Sequence, residues 1–592
     1  MIRTILALLC ALALLPAALP AAAEDAPPAT SLEMARLMGN GINLGNTFEA
    51  CDNGMHGGNI TYDPAHYETL WGQPVTTRKM IRGMKEAGFD TLRIPVAWMT
   101  NATHLARGEN DYTVSPAYLD RVEEVVSWAL EEGMFVILND HWDGGWWGMF
   151  GSASADTRAL AMEAYKGLWS QLAERFAKYD WHLIFEGANE ELGARFDENS
   201  PLYCQDSTDT YLTDGERYTL TNQVNQAFTD TVRAAGGNNA DRFLLIPGFG
   251  TNIAQTFDSR FKMPSDSAQG RLLLSVHCYT PWSYCGASSA ASATKWGTKK
   301  DFQTLESELK MMGRYAAQGI GVVIGEYGAL PGSDGIMKDN AVTYHRYMLD
   351  LCDYYDYCPV LWDCSGFYVR RQLAFSDPDM AALYLEKRRD AEGSAEEVKA
   401  AARAAADAAL EAAPETFLTD AVTLTDDTCV AWIMWNSGDW AQSYSVGDTY
   451  SPDTVSAGLK TTDAVIDGEG TYTVALDFTD TEGGASKSVA FSALGIANGE
   501  ILHPGWAVHF QSVKINGEEY KLSGRPYTCS DDGKCTRVNL FNEWVTNPMG
   551  VPNARVMYGP NIGLSATVIN RNDAVIQSIK TIEITFLYGP KK

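Results

Sequence analysis

Glu190 and Glu326 are the side chains of this 592-residue chain best suited to breaking a covalent bond together. Each follows a short apolar run: Leu183-Ile184-Phe185 leads into Glu186-Gly187-Ala188-Asn189-Glu190, and Gly321–Gly325 leads directly into Glu326. Cleaving the acetal between two sugars takes one carboxylic acid to protonate the leaving oxygen. A second carboxylate attacks or activates water, and both must face the same ring. The two glutamates are far apart in sequence, so only a fold that gathers strand ends around one mouth can pair them.

Other polar residues also follow apolar runs: Arg93, Asp140-His141, His277 with Tyr279, and Trp362-Asp363. Arg93 and His277 are expected to hold charge and hydrogen bonds around Glu326 and keep it ionised, with Tyr279 as a further donor. Asn189 is placed to meet a sugar 2-hydroxyl, and Trp362 to floor a subsite by stacking on a sugar face. Trp146 and Trp147, after Gly144-Gly145, either plug the rim or stack on sugar rings, and Trp146 is included among the candidate substrate contacts. Asp140-His141-Trp142-Asp143 lacks the second nearby histidine of a metal site, so no metal and no cofactor is expected. A metal-dependent hydrolase built on His141, His182 and His277 is disfavoured, because His182 begins its apolar run while the other two end theirs.

Positioning these residues falls to eight short β-rich segments: Gly39–Asn46, Thr91–Val96, Met134–Asn139, His182–Glu186, Arg242–Pro247, Leu272–His277, Gly321–Gly325 and Pro359–Trp362. Amphipathic stretches of helical length lie between them, among them Ala117–Glu132, Thr157–Lys178 and Phe302–Gln318. This alternation predicts an α/β fold, a (β/α)8 TIM barrel over 32–413. No G-x-G-x-x-G follows the first strand, which leaves a dinucleotide site unsupported. The Ala-rich run Glu396–Ala412 reads as a helix ending the barrel. From 416 to 592 the texture turns to alternating segments such as Gly470–Phe478, Lys487–Ser492, Ala507–Lys514 and Ile579–Phe586, which predicts an all-β sandwich. Its Trp432, Trp435, Trp440, Trp506 and Trp544 suit either a sandwich core or a glycan-binding platform, with core packing favoured.

Met1–Ala23 has the early charge, apolar run and small-residue site of a secretory leader, so a secreted, extracellular product over residues 24–592 is expected. No other stretch approaches the roughly 20 apolar residues that span a bilayer. A formal charge of −29 disfavours nucleic acid and anionic lipid as partners and leaves neutral polysaccharide compatible. Eleven cysteines in an exported chain predict some disulfides. Cys278 with Cys285, Cys352 with Cys358 and Cys529 with Cys535 are candidate pairs. A monomer is favoured.

The run Leu183–Glu190 resembles the acid/base signature of glycoside hydrolase family five, the cellulase family. Gly41-Ile42-Asn43-Leu44-Gly45-Asn46-Thr47, Thr91–Val96, Ser275-Val276-His277-Cys278-Tyr279 and Ile324-Gly325-Glu326-Tyr327-Gly328 resemble that family's other blocks in the same order. The resemblance covers roughly Leu32 to Arg389 and implies a retaining mechanism, with Glu190 as acid/base and Glu326 as nucleophile. It carries Arg93, His141, Asn189, His277, Tyr279 and Trp362 over as substrate-site residues. Glu191 departs from the signature, which usually has Pro there, and Trp142 stands where relatives often place a second His.

The expected activity is endo-hydrolysis of β-1,4-glucan: cellulose-like chains, mixed-linkage glucan or xyloglucan. The alternatives are an endo-β-1,4-mannanase and a non-catalytic glycan-capture protein, the second opposed by the intact carboxylate pair.

Overall fold

The computed structural model describes residues 26–51, 63–105, 111–197, 212–286, 296–331, 337–388, 395–414, 425, 427–438, 442–445, 454–530, 532–542, 554–557, 565 and 567–591. The leader-like segment Met1–Ala23, Trp440 and Trp544 lie outside the described residues.

Eight parallel strands close into a barrel in sequence order: β1 (Gly41–Asn43), β2 (Thr91–Ile94), β3 (Phe135–Asn139), β4 (Leu183–Glu186), β5 (Leu244–Asn252), β6 (Leu272–Cys278), β7 (Gly321–Tyr327) and β8 (Cys358–Leu361). β8 returns to β1 through Gly41 opposite Val360 and Ile42 opposite Leu361. Parallel strands are buried on both faces, which is why these segments read as unbroken apolar runs.

Successive side chains point to opposite faces, and this periodicity of two sorts each strand. Leu92, Val136, Leu138, Phe185, Ile246, Leu274 and Ile324 pack in the large cluster with the helices. Ile137, Ile184, Leu245, Leu273, Val323 and Val360 form a separate inner cluster. Two residues beyond Ile137, Ile184 and Leu273, on the same inward face, stand Asn139, Glu186 and Ser275. The apolar layer is therefore the floor on which a polar layer rests. The opposite end is plugged by the helix Ser31–Leu37, whose Met34 and Ala35 join the inner cluster together with Met38. A capping box of Thr30 and Glu33 starts that helix, and Ser31 Oγ ties it to Gly319 and Gly321 below β7.

The predicted helices Ala117–Glu132 and Thr157–Lys178 are found as Pro116–Glu131 and Ala155–Arg175. Phe302–Gln318 is instead broken into Lys299–Met311 and Gly313–Ala316, at a glycine that lowers helix propensity. The Ala-rich run forms the helix Ala395–Ala412, packed on the helix Ala341–Tyr355.

In the C-terminal region two antiparallel sheets share one core. One contains Val430–Asn436, Phe491–Ala497 and Thr536–Asn542; the other contains Gly470–Asp477, Thr581–Pro590 and Trp506–Ile515. The strand expected at Lys487–Ser492 begins later, at Phe491. Trp432 and Trp435 are fully buried in this core, so neither is a platform residue, while Trp506 is half-buried with its ring stacked 4.1 Å from His503. The candidate pair Cys278 and Cys285 is not linked: they carry separate buried thiols, and burial pushes Cys285 up to about 12.

The loop after β3 forms a 3-10 segment, Asp143–Gly151, that corrects one expectation. Asp143, Gly144 and Gly145 all have positive φ, and a Cβ on Gly144 would lie 2.3 Å from Thr100 Oγ1, so only glycine passes there. The turn drives Trp146 inward. It is fully buried among Trp147, Phe150 and Tyr165, and its indole N–H donates to Asp140 at 3.3 Å. Trp146 is therefore a rim plug with no face turned to a sugar. Trp146→Ala is expected to cost about 3–5 kcal/mol of stability, read from denaturant unfolding. An unchanged unfolding midpoint with a raised KM would instead restore the stacking role.

Candidate active site

Strand ends named from the sequence meet at one mouth, where a single buried guanidinium holds four side chains. Arg93, at the end of β2, donates through Nε to Glu186 at 2.7 Å and through Nη1 to Asn43 at 2.9 Å and Glu326 at 3.1 Å. Its Nη2 donates to Asn189 Oδ1 at 2.8 Å. Burial alone would lower Arg93, but the charges of Glu186 and Glu326 carry it above its ordinary value, so it stays a cation. Glu186 also accepts from Ser275 Oγ at 2.7 Å and Asn139 Nδ2 at 3.1 Å. Asn43 donates onward to the carbonyls of Gly325 and Leu361. Glu186, Asn43 and Ser275 were not assigned roles from sequence. The signal was there, since each occupies an inward position one layer above the apolar floor.

One oxygen each of Glu190 and Glu326 and a ring nitrogen of His277 lie within 4.8 Å of one another. Their own hydrogen bonding accounts for this closeness. His277 Nδ1 contacts Glu190 at 2.8 Å and Glu326 at 3.6 Å, and Tyr279 donates its hydroxyl to Glu326 at 3.0 Å. A register shift between β6 and β7 sets His277 directly opposite Glu326. Gly325 permits it, because a Cβ there would press on Ser275 Oγ and His277 Nε2 at 3.0 and 3.1 Å. His182 lies at the other end of the barrel, bonded to Asp180, and takes no part.

The expectation that Arg93 and His277 keep Glu326 ionised needs revision. Burial raises Glu326 above the ordinary carboxyl value, against the pull of His277, Arg93 and Tyr279. Burial also acts on Glu190, yet its hydrogen bond to His277 and the charges of His277, Arg195 and Arg93 bring it below that value. His277 gives its shorter contact to Glu190 rather than to Glu326.

His141 is buried, with its Nε2 3.9 Å from Glu326. Burial and the nearby Arg93 hold it well below the usual imidazole range, so it faces the site neutral. Its ring lies parallel to Trp362 at 5.9 Å. Trp362 rests against Gly45, where a Cβ would come 3.2 Å from the indole, and Arg370 pins the same corner through Thr47 Oγ1, Gly45 O and Asp363 O. Trp282 stands 57% exposed beside Tyr279, its ring edge-on at 5.9 Å, whereas Trp296 is buried away from the mouth.

Two adjacent carboxyls, one partly exposed and one buried against a fixed cation, can together protonate a leaving oxygen and bond to the carbon it leaves. The neutral histidine, tyrosine and tryptophans around them suit an uncharged hydroxylated ligand.

Comparison with known proteins places the barrel among characterised relatives. The cellulase (glycosyl hydrolase family 5) family model matches residues 54–367. The chain is 33% identical to endoglucanase A of Paenibacillus barcinonensis, over 59% of this chain and 85% of that one. It is also 33% identical to a xyloglucan-specific endo-β-1,4-glucanase of Bacteroides ovatus, over 57% of this chain and 65% of that one. Among solved structures it resembles a broad-specificity endoglucanase from an uncultured bovine rumen ciliate, with a TM-score of 0.51, 31% identity, and coverage of 61% of this chain and 98% of that one. A glycoside hydrolase 5 lichenase from Caldicellulosiruptor sp. F32, in complex with cellotetraose, aligns with a TM-score of 0.52, 29% identity, and coverage of 63% and 99%. With a closed eight-stranded barrel, two carboxyls meeting at its mouth and a family match across more than half its length, the chain belongs to glycosyl hydrolase family 5, the cellulases.

Proposed function

We propose that this chain is a secreted retaining endo-β-1,4-glucanase with Glu190 as acid/base and Glu326 as nucleophile. The observation that carries the reading is that one oxygen of each carboxyl lies within 4.8 Å of the other, which favours the close pair of a retaining enzyme, about 5–5.5 Å apart, over the wider pair of an inverting one, about 6.5–9.5 Å apart.

In the first step Glu190 protonates the glycosidic oxygen while Glu326 attacks the anomeric carbon, so the carbon–oxygen bond breaks as a glycosyl ester forms on Glu326. In the second, Glu190 takes a proton from water, which attacks the same carbon and frees Glu326. The carboxyls titrate as a pair, so attack requires their proton on Glu190. Arg93 and Tyr279 favour that distribution. The His277 contact with Glu190 opposes it, and a leaving oxygen bonded to Glu190 competes with that contact. Asn189, with its oxygen committed to Arg93, has its amide nitrogen to donate to a 2-hydroxyl. Trp362 is the proposed floor of the subsite.

The named relatives include an endoglucanase, a xyloglucan-specific enzyme and a lichenase, which supports a β-glucan backbone as substrate. The leader-like start and the net charge of −29 support action outside the cell on a neutral polymer. Purified protein is expected to drop the viscosity of carboxymethylcellulose or xyloglucan faster than reducing ends accumulate. Glu326→Gln is expected to lose this activity on the order of 10⁴-fold. Preferential cleavage of galactomannan would move the assignment to mannan, and cleavage of none of these polymers would reject the enzyme reading. NMR of early products should show the β-anomer first, and the α-anomer would contradict the retaining mechanism.

Tyr279→Phe supplies a pH test. The Tyr279 hydroxyl favours ionised Glu326, so its loss raises the Glu326 pKa. The acidic limb of kcat/KM, where Glu326 must ionise, is expected to move to higher pH by about one unit. A limb that stays in place would remove Tyr279 from this role.

A further inference from the structure

The residue after the acid/base is Glu191, and it is fully buried. One of its oxygens accepts the backbone N–H of Asn189 at 2.7 Å, and the other, Oε1, has no hydrogen-bond partner. What faces Oε1 is Arg195 Nη1, at 4.0 Å. Arg195 sits one turn on, in the short 3-10 segment Ala194–Asp197, and its Nη2 donates to Glu190 Oε2 at 3.2 Å. Each oxygen of Glu190 therefore has its own partner, Oε1 with His277 and Oε2 with Arg195. One guanidinium, a third exposed, stands between an acid/base open to the cleft and a carboxyl sealed behind it.

We propose that Arg195 is a positioning residue for Glu190, and that buried Glu191 competes with Glu190 for the same guanidinium.

This rests on the acid/base reading of Glu190 given above. An Arg fixed on a general acid orients its carboxyl and favours the ionised form. Acting alone, Arg195 would make Glu190 surrender its proton at lower pH and so narrow the range in which it can act as an acid. Glu191 counters this in two ways once ionised: it draws Arg195 toward itself and it adds a like charge next to Glu190. Burial raises Glu191 to about 8, so its opposition strengthens as the medium turns alkaline, where a general acid is otherwise lost. The other groups facing Glu190 are His277, Glu326, Arg93 and the Tyr279 hydroxyl. Those facing Glu191 besides Arg195 and Glu190 are Asp140, itself raised by burial and by Asp143, and the Tyr165 hydroxyl. Asp140 and Tyr165 offer Glu191 no positive charge, leaving Arg195 as the cation within its reach among the described residues.

The test is the alkaline limb of kcat/KM on a soluble β-glucan, set by deprotonation of the general acid. In Arg195→Gln the limb is expected to move upward by about one unit, with Arg195→Lys returning part of the way. In Glu191→Gln, whose amide oxygen can still accept from Asn189, the limb is expected to move downward, because the competitor for Arg195 is gone. Loss of packing alone would scale activity at every pH without moving the limb. An unmoved limb in Arg195→Gln overturns the role of Arg195, and an unmoved limb in Glu191→Gln overturns that of Glu191. Wild-type protein that cleaves no β-glucan overturns the proposed function and this inference with it, whereas active wild type with coincident limbs in all variants overturns the inference alone.

Discussion

A guanidinium without access to water organises this molecule. Arg93 is sealed inside the barrel mouth, where an unpaired cation would cost several kcal/mol, so the protein must surround it with acceptors. Four side chains from three other strands and one loop answer that demand: Asn43, Glu186, Glu326 and Asn189. Their positions become mutually dependent, because each is held by the same planar fork. Burial and the neighbouring Glu190 carboxyl then raise the proton affinity of Glu326 against the pull of that cation. The preorganisation of the site thus comes from a single electrostatic necessity.

That necessity explains what could be read in the amino-acid order. Apolar runs ending in Arg93, Asp140-His141, Asn189-Glu190, His277 and Glu326 mark strand ends, since a barrel strand must be apolar along its length and can turn polar only where it reaches the mouth. The eight predicted strands overlap the eight observed, and the candidate site residues Arg93, His141, Asn189, Glu190, His277, Tyr279, Glu326 and Trp362 lie in one set of contacts while Trp146 does not. Trp146 misled because an exposed loop tryptophan and a buried one look alike in sequence. The deciding fact was a run of three left-handed backbone conformations at Asp143-Gly144-Gly145, visible only in three dimensions. The plugging helix Ser31–Leu37 was missed because seven residues carry too little periodicity to stand out.

The proton distribution was the least legible part. Sequence places Arg93, His277 and Tyr279 near Glu326 by strand order, but whether they win against burial depends on distances of a few tenths of an ångström. His277 lies 2.8 Å from Glu190 and 3.6 Å from Glu326. Glu191 illustrates the same limit. As a letter it is a like charge beside the acid/base, and in space it is a sealed carboxyl that shares a cation with it.

The closure of β8 onto β1 bears on the order in which the protein can be made. Asn43 donates to carbonyls of Gly325 and Leu361, and Arg370 binds the carbonyl of Gly45. Residues synthesised first are therefore completed by residues synthesised more than three hundred positions later. Until β8 has left the ribosome the ring cannot close, the Arg93 mouth stays hydrated, and the carboxyl pair lacks its enclosing wall. A nascent chain stopped short of Arg370 would hold every residue needed for bond cleavage without the enclosure that arranges them, so competence for chemistry arrives late in synthesis and all at once.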